Sequence, residues 1–283
     1  MSPKNNKKVP LFGVGIAGNF AGHLQQTGEA NGLQGQVDAS SPQAIFPFYV
    51  SGASEAYLAV NPYSFDTVRL PQETSAKVQM EPEIALVARV KYLGDSVIGI
   101  EPESMTLLND VTYRNATVKK LAEKKNWGPA SKGIAKKVWP LESFGALDNL
   151  DKYRFCSFHH RDGQWASCCK DVSLSDYSYS YEKLITWVMS QFNTQQDQGA
   201  LHDLRQLVAE AGYPERMIIS LGSSRYTEYG EQHQLLDGDE LCAVLYDATR
   251  IDADQIAALI EGGQFEELAQ NQIVLRQTCQ AFS

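Results

Sequence analysis

LFGVGIAGNFAGH, residues 11–23, is compatible with two different fold classes. Its GVGIAG segment matches G-x-G-x-x-G, the glycine pattern that lies between a strand and a long helix in dinucleotide-binding folds. Asp38 follows the last of these glycines by 20 residues (38 − 18), about where such folds place the acid that binds the ribose. On this pattern alone, a nucleotide-binding oxidoreductase is one interpretation of the chain.

The residues that follow favour a different fold. Four more glycines between positions 22 and 35 interrupt the expected crossover helix, and the segment LQGQV before Asp38 is polar and too short for a buried central strand. We therefore expect a strand over residues 9–16, where glycine lets the backbone approach its neighbours closely. A glycine-rich loop would then present Asn19 and His23, and the nucleotide interpretation stays the less favoured alternative.

The composition is that of a globular protein without a nucleic-acid or membrane partner. The 283 residues carry a net charge of −9, which argues against binding to free nucleic acid. No apolar run approaches the roughly 20 residues of a membrane span, and no long apolar segment follows the basic N-terminus. The five cysteines show no C-x-x-C spacing, which indicates reduced thiols and a cytoplasmic location.

Strands dominate the middle of the chain, and helices gather late in it. β-Branched and apolar runs predict strands over residues 46–50, 78–92, 97–100, 217–221 and 240–246. The spacing of apolar residues predicts helices over residues 181–192, 200–211 and 252–260. Because βαβ units do not alternate, the pattern indicates an α+β or mixed β fold. We divide the chain into an N-terminal lobe with the first strand and its loop (1–75), a core (76–250) and a C-terminal helical extension (251–283).

The strongest chemical signal is the pair of glutamates in QMEPEIALVARVKY, residues 79–92. Residues i and i+2 of a strand lie on one face, so Glu81 and Glu83 point the same way at the start of an apolar strand. Two converging carboxylates suit a hard divalent ion such as Mg²⁺, Ca²⁺ or Mn²⁺. The alternative is a solvated strand end, where two glutamates cost nothing.

A second acidic position strengthens the metal hypothesis. Asp110 ends an apolar run, and Arg114 and Lys132 follow it. Asp110 could complete a site of three carboxylates, while the two cations could bind an anionic substrate or charge that develops on an oxygen. The alternative is that Asp110 caps a helix that begins near residue 112. Most of the seven lysines between positions 119 and 137 are expected to form a solvated helix face.

These motifs, taken in order, resemble the fumarylacetoacetate hydrolase family over roughly residues 11–250. The family pattern is Asn-aromatic-x-x-His, E-x-E, an N-D-x-x-x-R-like element, Trp and Lys, a hairpin before a helix, a Gly-Thr-Pro-like turn and a GDxV-type strand. The matching segments here are Asn19 to His23, Glu81 to Glu83, Asn109 to Arg114, Trp127 with Lys132, Arg161 to Trp165, Leu221 to Ser224 and Asp237 to Leu241.

The resemblance implies a rolled, mixed β-sandwich with short flanking helices, and a homodimer. It also implies a divalent ion, Mg²⁺, Mn²⁺ or Ca²⁺, held by Glu81, Glu83 and Asp110. The implied activity is that of a hydrolase or lyase cleaving C–C bonds of a small acidic 2-oxo or 1,3-dicarbonyl metabolite through a metal-stabilised enolate. The implied catalytic residues are His23 and Lys132, and the implied substrate-binding residues are Asn19, Arg114 and Ser223.

The chain departs from the family pattern near the histidine. Gln26 stands where many members have a glutamate that pairs with the histidine to activate water, and an amide cannot take up that proton. Glu29, three residues further on, is the candidate replacement. The segment FPFYVSG, residues 46–52, also lacks a lysine common in the family, and Ser223-Ser224 replaces Thr-Pro. The alternative function is therefore a catalytically impaired metal- or metabolite-binding protein on the same fold.

Overall fold

The computed structural model describes residues 11–27 and 40–282. The strands within these ranges are β1 (Leu11–Ala17), β2 (Ala44–Val50), β3 (Tyr63–Ser64), β4 (Thr67–Arg69), β5 (Val78–Gln79), β6 (Pro82–Leu93), β7 (Ser96–Asn109), β8 (Thr112–Tyr113), β9 (Lys132–Ile134), β10 (Trp139–Pro140), β11 (Tyr153–Arg161), β12 (Gln164–Ser173), β13 (Arg216–Ser220), β14 (Glu240–Asp247) and β15 (Ile273–Gln280). The α-helices are α1 (His23–Thr27), α2 (Ala56–Ala59), α3 (Tyr181–Thr194), α4 (Leu204–Glu210), α5 (Glu228–Gln232), α6 (Ala253–Glu261) and α7 (Phe265–Asn271). No helix within these ranges is long and apolar enough to span a membrane.

Most of the strands form two mixed sheets. The larger sheet has the order β2-β1-β13-β6-β7-β9-β3, with β10 also paired to β7, and the smaller has the order β12-β11-β14-β15-β4. In the larger sheet, β1 runs parallel to β13 and antiparallel to β2, while β13 runs antiparallel to β6. This pairing differs from the parallel, doubly wound sheet of a dinucleotide-binding fold. The expected mixed β fold is confirmed.

The main hydrophobic core lies between the two sheets. It joins residues of the larger sheet, such as Leu86 and Met105, to residues of the smaller sheet, such as Phe155 and Leu245. The apolar face of α3 covers part of the larger sheet, with Leu184 and other buried side chains in the same core. Burial of these faces on one another is the main favourable term in the folding of such a sandwich.

The opening glycines serve strand packing. A Cβ atom at Gly15 would lie 2.3 Å from Cζ of Phe46, and one at Gly13 would lie 2.5 Å from Cε2 of Phe48. Both phenylalanines belong to β2, the antiparallel neighbour of β1, so the missing side chains make room for their rings. Gly18 has φ of +76°, a conformation that favours glycine, where the chain turns out of β1. Asp38 lies outside the described residues.

The strands and helices predicted with bounds are present among the described residues with small shifts at their ends, and β7 is much longer than expected. The helix face expected of the lysines between positions 119 and 137 is wrong, because that segment contains only a short 3-10 helix (Leu121–Lys124) and β9. Residues 161–165 form the expected hairpin turn between β11 and β12. The helical character predicted for residues 251–283 is correct for α6 and α7 and wrong for residues 273–280. That segment forms β15, in which buried and exposed side chains alternate, between β14 and β4. The division of the chain into three segments stays a prediction.

Candidate metal centre and cavity

The β6–β7 ladder brings Glu81, Glu83 and Asp110 together. Pro82 pairs with Asn109 at the end of the ladder, so Glu81 and Glu83 flank the first residue of β6, and Asp110 follows the last residue of β7. The backbone N–H of Asp110 donates to the carbonyl of Glu81 (2.7 Å), which closes the end of the ladder. One carboxylate oxygen from each residue lies within 4.8 Å of the other two.

All three carboxylates are buried, with 0–3% of each residue exposed. This rules out the solvated strand end as an explanation of Glu81 and Glu83. It also rules out a helix cap at Asp110, because β8 follows that residue. Buried carboxylates need cations or hydrogen-bond donors to offset the loss of water.

Three cations surround two of the carboxylates. The Lys125 ammonium lies 2.5 Å from Oε2 of Glu81 and 2.6 Å from Oδ2 of Asp110. The Lys132 ammonium lies 2.5 Å from Oδ1 of Asp110, and the Arg114 guanidinium pairs with Oε1 of Glu81. Among the described residues, no cation comes within 4.0 Å of the Glu83 carboxylate; its Oε2 accepts hydrogen bonds from the Ser220 hydroxyl and from the backbone N–H of Gly222.

This arrangement shifts the pKa values of the two glutamates in opposite directions. Burial alone would raise the pKa of Glu81, but Arg114 and Lys125 hold that pKa well below its usual range. Burial raises the pKa of Glu83 well above its usual range, and the neighbouring charge of Asp110 raises it further. Glu83 is thus the carboxylate with no cation in ion-pair contact among the described residues, and a bound divalent ion would provide one.

His23 lies beside the same cluster at the start of α1. Its Nε2 is 3.0 Å from Oε1 of Glu81, and its Nδ1 has no hydrogen-bond partner among the described residues. Gln26, one turn later, hydrogen-bonds to the backbone of Tyr226 and to Glu231. Glu29, the candidate replacement for the missing acid, lies outside the described residues, so its role stays a prediction.

A cavity of about 570 Å³ opens over the cluster. Its wall includes the predicted site residues His23, Glu81, Glu83, Arg114, Asn19 and Ser223, together with apolar side chains and four lysines. The apolar part is formed by Ile16, Phe20, Leu24, Phe46, Val118 and Leu121, and the lysines are Lys119, Lys120, Lys124 and Lys125. A small anionic molecule with some apolar surface suits a wall of this kind.

The predicted substrate-binding residues differ in how they are held. The Asn19 side chain donates to the carbonyls of Tyr179 and Leu221 and accepts from the N–H of Tyr179, so it fixes the loop after β1. The Ser223 hydroxyl is buried, faces the cavity and has no partner among the described residues. Ser223 is therefore better placed than Asn19 to bind a substrate oxygen.

Lys125, and not the predicted catalytic residue Lys132, is the lysine that lies both in the cavity wall and against the carboxylates. Lys132, the predicted catalytic lysine, is fully buried against Asp110 and the carbonyl of Val111 and is not part of the cavity wall that the described residues form. Lys125 reaches the cavity and the carboxylates, although it belongs to the run of lysines of which most were expected to form a solvated helix face. No local signal separates it from Lys124, because its role depends on contacts with residues far away in sequence.

A model of a family of unknown function (DUF5718) matches residues 33–279. A search of curated protein sequences found no match.

Solved structures share the fold at low sequence identity. A 2-keto-3-deoxyarabinonate dehydratase is 12% identical with a TM-score of 0.56, over 97% of this chain and 74% of that chain. A 2-keto-3-deoxy-D-arabinonate dehydratase complexed with magnesium and 2,5-dioxopentanoate is 14% identical with a TM-score of 0.52, over the same shares. A candidate fumarylacetoacetate isomerase/hydrolase from Oleispira antarctica is 14% identical with a TM-score of 0.54, over 95% of this chain and 92% of that chain. The fumarylacetoacetate hydrolase-like fold that the sequence motifs imply is confirmed.

Proposed function

We propose that this chain, which belongs to the family of unknown function DUF5718, is a divalent-metal-dependent enzyme. It would act as a hydrolase or a lyase and cleave C–C bonds in small acidic 2-oxo or 1,3-dicarbonyl compounds. One observation carries the proposal: three buried carboxylates converge under a cavity, and Glu83 among them has no cation within ion-pair distance in the described chain. A fold neighbour complexed with magnesium and 2,5-dioxopentanoate is consistent with this choice of ligand and substrate class.

The donor set fits a hard divalent ion. Glu81, Glu83 and Asp110 would hold the ion, because carboxylate oxygens are the ligands that Mg²⁺, Mn²⁺ and Ca²⁺ prefer. Burial and the charge of Asp110 raise the pKa of Glu83, and a divalent ion bound beside it would favour its ionised form. When bound, the ion would supply Lewis acidity to the carbonyl group of a chelating 2-oxo acid.

His23 is the group we assign to proton transfer. Glu81 is held ionised by its cationic neighbours, so it accepts from Nε2–H of the imidazole and fixes that tautomer. Nδ1 is then left to accept a proton from water or substrate, since no described residue bonds to it. Loss of a positioned general base commonly slows a reaction by about 10²–10⁴-fold.

The cavity wall would bind and shield the substrate. The Ser223 hydroxyl and the Arg114 guanidinium would contact substrate oxygens, and the lysines at 119, 120 and 124 give the wall a positive charge that favours an acid. Phe20 and the other apolar side chains would exclude water around the reacting bond. We assign Lys132 a positioning role, because its ammonium holds Asp110 from behind.

A second function is favoured by Gln26. Its amide is fixed to Tyr226 and Glu231, and it replaces the acid that would activate water in the family pattern. The protein would then bind a metal ion and a metabolite without turning the metabolite over. The homodimer and the cytoplasmic location that the sequence suggests stay predictions.

Turnover of oxaloacetate and acylpyruvates separates the two functions. Substrate loss would be followed by proton NMR with Mg²⁺ or Mn²⁺ and again with EDTA, using wild type, His23→Ala and the surface control Glu266→Ala. The enzyme hypothesis expects turnover that EDTA abolishes, that Glu266→Ala retains and that His23→Ala lowers at least about 100-fold. Ligand-induced stabilisation without loss of any substrate would favour the binding protein instead.

A further inference from the structure

The Lys125 ammonium lies inside the carboxylate cluster. It contacts Oε2 of Glu81 and Oδ2 of Asp110, and it donates to the Thr112 hydroxyl at 2.6 Å. Only 3% of the residue is exposed, and its ammonium lies 4.9 Å from the centre of the Phe46 ring. A charge held this closely by two buried anions and an aromatic ring is part of the site and not a solvated surface lysine.

Different cations contact the two oxygens of each carboxylate, in Glu81 and in Asp110. Arg114 pairs with Oε1 of Glu81, and Lys132 pairs with Oδ1 of Asp110 from outside the cavity wall. Lys125 is the only described cation on the other oxygen of each carboxylate, Oε2 of Glu81 and Oδ2 of Asp110. Lys125 is thus the cation among the described residues that contacts both Glu81 and Asp110, two of the three carboxylates that a divalent ion would require.

We propose that Lys125 is the resident counter-cation of Glu81 and Asp110 and that a divalent ion binds in competition with its ammonium. This inference rests on the proposed function, because it takes the carboxylates as the metal ligands. An ammonium and a divalent ion cannot both neutralise the same two oxygens at close contact, so binding of the ion moves the ammonium away. Arg114 and Lys132 keep their own contacts throughout.

The surroundings of Lys125 allow this exchange. Lys125 lines the cavity, whereas Lys132 is fully buried and is not part of the wall that the described residues form. A lysine side chain has a flexible four-carbon stem, so its ammonium can withdraw into the cavity without a change in the backbone. There it would face the acidic group of a substrate and add to the positive charge of the wall.

Mn²⁺ titration of metal-free protein tests the competition directly. Calorimetry would give the dissociation constant of Mn²⁺ for wild type, Lys125→Met and Lys124→Met. Lys124 lines the same cavity, and its ammonium bonds only weakly to the backbone of Arg114 (3.4 Å), so the control removes an equal charge outside the cluster. We expect Lys125→Met to bind Mn²⁺ at least about tenfold more tightly, since the metal no longer displaces a buried ion pair, and Lys124→Met to stay within about twofold.

The variant Lys125→Arg guards against misfolding of Lys125→Met, because it retains the charge. It is expected to bind no more tightly than wild type, and tighter binding by Lys125→Arg would contradict competition. Equal or weaker binding by Lys125→Met, with wild type binding normally, would overturn the inference and leave the proposed function intact. If Lys125→Met binds Mn²⁺ and wild type does not, the inference holds and metal-dependent activity of wild type fails. If neither binds, both fail.

Discussion

The opening glycines provide the sharpest prediction about the fold, which is the effect of Gly15→Ala. The new Cβ atom would lie 2.3 Å from Cζ of Phe46 and 2.6 and 3.0 Å from its two Cε atoms. Carbon atoms in contact normally stay about 3.5–4.0 Å apart, so the ring must move by roughly 1 Å or more. Phe46 is buried between β1 and the Lys125 ammonium, which leaves little room for that movement.

Such overpacking commonly costs about 1–3 kcal/mol of stability. For a chain of this size, each kcal/mol lowers the melting temperature by roughly 2–4 °C, so Gly15→Ala should melt about 2–12 °C below wild type. Scanning calorimetry would compare it with Gly99→Ala in β7. A Cβ atom there would lie 3.5 Å from the side chain of Lys91, an ordinary contact, so this control should melt within about 1 °C of wild type.

A wild-type melting temperature for Gly15→Ala would refute the packing account of these glycines. The nucleotide alternative makes a different forecast, because a methyl group at that position would then weaken NADH binding and leave the stability of the free protein nearly unchanged. A fluorescence titration with NADH on wild type therefore accompanies the melting experiment. We expect no binding.

Three further predictions concern buried charges and thiols. Lys132→Met should lower the free energy of unfolding by about 3–5 kcal/mol in urea titrations, because it leaves Asp110 with one cation fewer, and a loss under about 1 kcal/mol would contradict this placement. Burial alone would raise the pKa of Asp239, yet hydrogen bonds from Arg161 and His159 hold that pKa well below its usual range. The stability that this charge contributes is present above pH about 4 and is lost as pH falls. The free energy of unfolding of Asp239→Asn should therefore be lower than that of wild type at pH 7 and much closer to it at pH 2. The five cysteines are buried, so a thiol reagent should label none within minutes in the native protein and five per chain in denaturant, and rapid native labelling would show that one is accessible.

Much of the fold follows from local pattern. β-Branched runs mark β2, β6, β13 and β14 because each of these strands is buried over most of its length. The strand β15 was not predicted, because residues 251–283 were expected to form a helical extension, although its side chains alternate between buried and less buried positions in the structure. The pairing of β15 with β4, far away in sequence, is what makes it a strand, and a local pattern does not contain that contact.

In the candidate site too, local sequence predicts some residues, and others are identified only by contacts with distant parts of the chain. Glu81 and Glu83 were predictable as a pair because the period of a strand is two. Asp110 was a candidate because it ends an apolar run, although the strand that carries it to the glutamates, β7, was expected to end at residue 100. Lys125 was not predictable, since a run of lysines looks alike until distant carboxylates select one of them. Lys132 shows the reverse, because family resemblance suggests a catalytic role while its contacts place it behind Asp110.

Thermal unfolding with and without a divalent ion tests whether Glu81, Glu83 and Asp110 form a metal centre. EDTA-stripped wild type, Glu83→Ala and the control Glu266→Ala, which changes an exposed residue of α7, would be melted with and without millimolar Mg²⁺ or Mn²⁺. An ion at about 100 times its Kd adds roughly 2.7 kcal/mol to native stability, which raises the melting temperature by about 5–10 °C. We predict that shift in wild type and in Glu266→Ala and its absence in Glu83→Ala. No shift in wild type, or an equal shift in Glu83→Ala, would contradict a metal centre at these carboxylates.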